Sequence, residues 1–180
     1  GRGGGWGGRL PVPDGMGRAR ENRRRMARRL PELVSGYDRR DITPFVELWQ
    51  EALLGAATRT GREASSPALA RLTPGPQDPH WSEHVLLARE LGCTLAEGGD
   101  LSARQGELWL KTVRGLRPVD VLLIRQDPET IDPLELGGAG AWGITGLLDV
   151  ARAGAARLLA DPRAGHAAVA YPHPTQPTRA

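Results

Sequence analysis

The chain is short of the residues that usually announce a chemistry. It has one cysteine, Cys93, so no disulfide can form within it. Its setting, Leu91-Gly-Cys-Thr-Leu, is that of a small core residue at the start of a strand, and a lone thiol fits a reducing, cytoplasmic compartment. Lysine occurs once, at Lys111, and aromatic residues make up 4% of the chain. No apolar run approaches the roughly eighteen residues of a membrane span, and none follows the N-terminus as in a signal peptide. Neither Gly-x-Gly-x-x-Gly nor Gly-x-x-x-x-Gly-Lys-Thr is present, so a Rossmann fingerprint and a P-loop are both excluded.

What is present is glycine, proline and arginine. With 180 residues, 39% hydrophobic content, 24 glycines and 15 prolines, one domain of about 100–150 residues with loose ends is expected. The net charge is +3, and Arg18, Arg20, Arg23, Arg24, Arg25, Arg28 and Arg29 form a dense basic block. Such a block attracts phosphates. No aromatic residue interleaves with it and no zinc-finger or RNA-recognition pattern accompanies it, so nucleic acid is not the expected partner. The chain starts at Gly1 rather than Met, which points to a piece cut from something longer.

Periodicity divides the chain into five stretches. Residues 1–17 read as loop. Residues 18–57 read as helical, with a break at Pro31 and a fresh start at Thr43-Pro44, whose expected apolar face is Phe45, Leu48, Trp49, Ala52 and Leu53. Residues 58–67 form a linker. Residues 68–165 carry the alternation of strands and helices that predicts an α/β, mostly parallel sheet with flanking helices. Residues 166–180 form a tail without pattern. Within the α/β part, Ala68–Thr73 is a strand and Pro79 stops a helix from starting before His80. Ser82 is its expected cap, Val85, Leu86, Ala88 and Leu91 its expected inner face, and Gly92 its end. Thr94–Glu97 is the next strand, and Gln105-Gly106 joins a hairpin. Val119–Ile124 is the clearest buried strand, four consecutive aliphatic residues at its end as in a strand covered on both faces. Ile144–Arg152 is a helix, and Ala155–Leu159 a last strand.

Three groups of residues carry candidate chemistry. Thr73-Pro74-Gly75 follows a strand, where open α/β sheets bind ligands, and could approach a phosphate or carboxylate beside a helix N-terminus; the alternative is a stiff structural turn. His80, Glu83 and His84 share one helical region, but the order is not His-Glu-x-x-His and no third ligand is evident for zinc. Glu83 and His84 read instead as polar residues facing a cleft or capping loops. Arg125 and Asp127, then Asp132 and Glu135, follow the buried strand. A guanidinium there can clamp an oxyanion bidentately and the carboxylates could coordinate magnesium; the alternative is an ion-pair network tying the loop to the sheet.

Taken in order, Leu72-Thr-Pro-Gly-Pro-Gln-Asp-Pro, Glu83-His84, Leu87-Ala-Arg-Glu-Leu-Gly, Leu95-Ala-Glu-Gly-Gly-Asp-Leu, Gly106-Glu-Leu-Trp-Leu-Lys-Thr, Val119-Asp-Val-Leu-Leu-Ile-Arg, Asp132-Pro-Leu-Glu-Leu and Gly143-Ile-Thr-Gly-Leu-Leu resemble the circularly permuted ATP-grasp proteins, type 2. The resemblance covers roughly Pro13 to Gly165. It implies a Rossmann-like, pre-ATP-grasp domain within a longer ATP-dependent carboxylate–amine ligase that uses ATP and magnesium and passes through an acyl phosphate. The implied partners are the missing ATP-grasp domain and small-molecule carboxylate and amine substrates. Glu21-Asn22-Arg23 resembles the family's segment just past its ATP-binding carboxylates, which puts Asn22 at the nucleotide side.

The chain departs from the family's pattern in three places. The family's acidic metal-binding motif should precede Gly1, and a glycine-rich start stands there instead. Arg125-Gln126-Asp127 replaces an arginine pair followed by Val-Asp-Asp. Asp161-Pro-Arg-Ala-Gly165 replaces Asn-Ala-x-Gly-Ser-Gly, and the tail after His166 has no counterpart. The reading is a fragment inactive alone, with a non-catalytic scaffold module and nucleic-acid binding through Arg18–Arg29 as alternatives.

Overall fold

The computed structural model describes residues 15–36, 43–60, 66–125, 128–137 and 142–160. The first helix, α1 (Met16–Arg29), stops at Leu30. A residue before proline is pushed out of the helical region, and Leu30 has φ −137° and ψ 58°. Pro31 then opens the short α2 (Pro31–Ser35) at the position where its missing N–H costs nothing. Helix α3 spans Thr43–Ala57 and buries Val46, Trp49, Leu53, Ala56 and Ala57. The expected face was rotated from this one. Phe45 and Leu48 are exposed, because the helix is apolar on nearly every side and periodicity alone cannot choose between its stripes.

Strand β1 (Leu69–Leu72) is followed by α4 (Trp81–Leu91), β2 (Thr94–Ala96), β3 (Leu101–Arg104), β4 (Glu107–Thr112), β5 (Gly115–Pro118) and β6 (Val121–Ile124). The short helices α5 (Pro128–Ile131) and α6 (Pro133–Leu136), then α7 (Leu147–Ala153) and β7 (Arg157–Ala160), complete the described elements. β2, β1, β6 and β7 form a parallel sheet in that order, with Leu69 opposite Val121 and Arg71 opposite Leu123. β3, β4 and β5 form an antiparallel meander. Its first turn is Gln105-Gly106, both residues at positive φ (53° and 76°), as a tight two-residue hairpin requires. β5 goes beyond the expectation that Gly115 merely turns the chain; its residues are largely exposed and carry no alternation to betray a strand.

Two apolar layers cover the parallel sheet. Leu69, Val121 and Leu123 pack with Val46, Trp49 and Leu53 of α3 and Leu87 and Leu91 of α4. Their neighbours Ala70, Leu72, Leu122 and Ile124 face the other way, against Leu108 and Leu110 of the meander and Leu147 and Val150 of α7. Alternation along β1 and β6 therefore sorts both layers, giving the α/β, mostly parallel architecture preceded by a helical segment. Asp120 fastens the amino end of the sheet. Its Oδ2 accepts from the Ala68 N–H (2.7 Å), its own N–H donates to the Ala68 carbonyl, and its carbonyl accepts from the Arg157 N–H.

α1 lies against α4 at close range through Gly17. A Cβ built on Gly17 would sit 2.8 Å from Leu86 Cβ and 3.2 Å from Glu83 Oε2. Alanine would gain about 1 kcal/mol of helix propensity, but forcing an atom into a packed contact costs about 1–3 kcal/mol. Gly17→Ala is therefore expected to destabilise the protein in urea titration. Gly55→Ala, in α3 with no atom within 4 Å of the new Cβ, is expected to stabilise it by about 0.5–1 kcal/mol.

Candidate functional site

β1 leaves the sheet through α4 on one face, and β6 leaves it through the segment containing α7 on the other. The two strands are adjacent, so their carboxyl ends flank the point where connections diverge to opposite faces. Open α/β sheets bind ligands there. The first residues past these ends are Thr73 and Arg125. Along the face that carries Leu69 and Leu123, alternation also brings Arg71 to the α4 side. Arg71 and Thr73 are each only 1% exposed, and Arg125 is half-buried.

His84 closes the site from α4. It is buried, and its Nδ1 lies 2.7 Å from Thr73 Oγ1. The same hydroxyl oxygen accepts from the Gly75 N–H at 3.3 Å, and the Thr73 N–H donates to the Ala96 carbonyl of β2 at 2.9 Å. Gly75 has φ +103°, a conformation that favours glycine, and a Cβ on it would crowd the Glu97 carboxylate at 3.0 Å. Burial lowers the His84 pKa to about 4; Arg71 adds to this, Arg125 and His80 act in the same direction, and Asp78 opposes them. His84 is thus a neutral imidazole at pH 7.

The other sequence-predicted residues fall elsewhere. Glu83 is buried and points away from Thr73: its Oε1 accepts from the Gly17 N–H (2.7 Å) and its Oε2 from the Arg18 N–H (3.0 Å). It caps α1, whose N-terminal donors need a partner. His80, not Ser82, is the N-cap of α4; Ser82 Oγ instead accepts from Arg18 Nε and Nη2. Val85, expected inward, is exposed, because Glu83 and His84 take the buried positions beside Leu87. Asn22 is exposed on α1, and among the described residues no hydrogen bond joins it to Thr73, His84 or Arg125.

Asp132 is fully buried. It accepts from the N–H groups of Leu134 (3.1 Å), Gly146 (3.3 Å) and Leu148 (3.0 Å), which makes it the cap of α6 and the anchor of α7. Glu135 pairs with Arg152, which also reaches Asp149. Asp132 is thus a backbone cap, and Glu135 is in an ion pair that joins α6 to α7. Pro74 is half-buried beside Thr73, and Asp127 lies outside the described residues. Arg71 was missed from the sequence. The signal was available: an arginine in the middle of a short apolar run, where both faces of the strand are covered.

Three arginines of the basic block, Arg18, Arg20 and Arg24, are drawn into the α1–α4 junction. Arg18 reaches Ser82 and the Pro79 carbonyl, Arg20 and Arg24 pair with Glu90, and Arg25 pairs with Glu21. Among the described residues no group of three or more His, Cys, Asp and Glu is placed to hold a metal ion, and no helix is long and apolar enough to cross a membrane.

A Rossmann-like parallel sheet whose connections diverge between β1 and β6 defines the class. The chain belongs to the circularly permuted ATP-grasp type 2 family, whose model matches residues 6–169. It is 36% identical over 145 residues to an uncharacterised protein of Mycobacterium tuberculosis, covering 81% of this chain and 26% of that protein. A Mycobacterium leprae protein is 35% identical over 145 residues (81% and 25%), and a Synechocystis protein 33% identical over 156 residues (87% and 32%). The chain thus spans about a quarter to a third of the length of these relatives.

Two outcomes test these roles. In the unfolded chain His84 takes up its proton near pH 6.5, and in the folded protein only near pH 4. Between those values the unfolded state binds more protons, so stability contributed by the neutral ring is present above pH 6.5 and is lost as pH falls towards 4, by an amount on the order of 3 kcal/mol. His84→Gln is expected to flatten that slope in pH-dependent melting. Asp132→Ala is expected to cost about 2–4 kcal/mol by leaving buried N–H groups unsatisfied, whereas Glu135→Gln, at a partly exposed pair, should cost under about 1 kcal/mol in the same denaturation assay.

Proposed function

We propose that this chain is the Rossmann-like, substrate-side wall of an ATP-dependent carboxylate–amine ligase and that it has no turnover by itself. The supporting observation is the meeting of Arg71, Thr73, His84 and Arg125 at the switch point of the sheet, in a chain that belongs to the ATP-grasp family. In the ligase reading, ATP with magnesium supplies the phosphoryl group that activates the substrate carboxylate. The described residues of this wall fit the carboxylate better than the metal. They offer guanidinium and hydroxyl donors, and the nearby acids Glu83 and Glu97 are engaged with backbone N–H groups.

Arg125 would hold the carboxylate in place and offset its charge, and Asp127, two residues further on in the sequence, would act with it. Thr73, Pro74 and Gly75 would form the edge of the cleft. A fixed positive wall lowers the cost of gathering negative charge in a site closed to water. Asp132 and Glu135 would keep the opposite flank in shape by anchoring α6 and α7.

The isolated chain is expected to release no ADP from magnesium-ATP, and clear turnover abolished by Arg125→Ala would overturn its inactivity alone. A chimaera in which this chain replaces the matching segment of the Mycobacterium tuberculosis relative tests the ligase role. With pooled carboxylates and amines it should form ADP, and Arg125→Ala should reduce kcat/KM by about 100-fold. An unchanged rate in that variant would remove Arg125 from the reaction.

A further inference from the structure

Two exposed faces of the molecule match each other in charge and polarity, and neither takes part in the site above. The first is the outer side of α3. Its charged side chains are Glu47 and Glu51, on successive turns and both exposed, and it carries no lysine or arginine. Among the described residues no cation pairs with either acid. Leu48 is 64% exposed beside them, and Leu54 is exposed on the flank. The sheet takes the opposite stripe, Val46, Trp49, Leu53, Ala56 and Ala57. At about 100° per residue, Glu47, Leu48, Glu51 and Leu54 fall within one arc turned away from it.

The second face is the tip of the β4–β5 hairpin. Every residue from Lys111 to Arg117 is exposed. Lys111, Arg114 and Arg117 give this stretch a positive charge that no acid within it offsets. Val113 is fully exposed in the turn, and Leu116, also exposed, stands opposite Lys111 across the ribbon. Lys111 Nζ donates to the Gly99 carbonyl (2.7 Å) and keeps its charge. Among the described residues no acid pairs with Arg114 or Arg117. The tip is firm, because Thr112 Oγ1 accepts from the Arg114 N–H (3.2 Å) and donates to the Gly115 carbonyl (2.7 Å). Arg117 and Pro118 end the outer strand, a pair that blunts an edge against backbone pairing. The hairpin therefore offers its side chains.

We propose that the outer face of α3 is the docking surface for the β4–β5 hairpin of a second copy of this chain. Within one molecule the two do not meet: α3 covers one face of the parallel sheet and the meander covers the other. Between molecules, Glu47 and Glu51 would face Arg114, Arg117 and Lys111, while Leu48 and Leu54 cover Val113 and Leu116. Complementary charge selects this occupant. A second α3 would set acids against acids, and a second hairpin would set cations against cations. The contact is heterologous, so each pairing leaves one α3 and one hairpin open, and copies add head to tail. The inference stands independently of the ligase reading.

Sedimentation equilibrium of the full chain tests it. The weight-average mass is expected to rise with concentration from the 19.4 kDa of one chain. Raising the salt from about 0.05 M to about 0.5 M should weaken the association about tenfold, since exposed charges lead the contact. Two double variants identify the faces. Glu47→Lys with Glu51→Lys, and Arg114→Glu with Arg117→Glu, should each weaken self-association about tenfold. All four positions are exposed, and circular dichroism checks the fold. Mixed together, the two variants should associate again, because the basic hairpin of the first meets the acidic α3 of the second. If charge reversal disturbs folding, Glu47→Gln with Glu51→Gln is the milder probe, expected to weaken association about threefold. A mass that stays at 19.4 kDa at every concentration would overturn the proposal and leave both faces to another partner, such as the remainder of a longer family protein. Association unchanged in the variants, or none on mixing them, would overturn it equally.

Discussion

The parallel pairing of β1 with β6 is the constraint from which the rest follows. Each strand is four residues long and buried throughout, so neither survives without cover on both faces. Alternation then leaves no choice of sides. Leu69, Val121 and Leu123 need α3 and α4, while Ala70, Leu72, Leu122 and Ile124 need the meander and α7. Asp120 fixes the amino ends by holding Ala68 and Arg157. A one-residue slip would carry every side chain to the wrong face, and it would also separate Thr73 from Arg125. Register and site geometry are the same fact.

Two consecutive residues of α4 extend this constraint outward. Glu83 holds the first N–H groups of α1, and His84 holds Thr73. Consecutive helical residues point about 100° apart, so one turn of one helix reaches both the neighbouring helix and the end of the sheet. The arginines of α1 follow from the same arrangement. Arg20 and Arg24 meet Glu90 two turns further along α4 than Glu83. Part of a basic stripe that looks like a phosphate-binding surface in isolation, namely Arg18, Arg20 and Arg24, is the charged seam between two helices.

This explains what could and could not be read from the sequence. The strand ending in Arg125 was legible because four consecutive aliphatic residues have few homes other than a sheet covered on both faces. The break at Pro31, the end of α4 at Gly92 and the Gln105-Gly106 hairpin were legible because each depends on local backbone chemistry. Partner choice was not. Glu83 beside His84 looks like a cleft pair until α1 is brought against it, and Asp132 looks like a metal ligand until the start of α7, 16 residues on, turns its N–H groups toward it. The inward face of α3 was obscured because the helix offers more apolar positions than the sheet can cover. Arg71 was overlooked for the converse reason: a single charge in an apolar run averages away in any window, although a charge kept inside a doubly covered strand is costly enough to require a purpose.

That cost bears on how the site is built. Three prolines in the loop from Thr73 to His80 restrict the unfolded chain, and the internal hydrogen bonds of the same loop fix its folded shape. Little conformational freedom then remains to this loop in the folded protein. The two guanidiniums are likewise placed by the register of β1 against β6, so the positive potential felt by His84 is set by the fold. The price is carried by the fold, which keeps Arg71 charged in its interior and His84 uncharged beside it. Rigidity at the loop, burial of one cation and neutrality of the imidazole are therefore three consequences of one arrangement, the register of β1 against β6 with α4 packed across it.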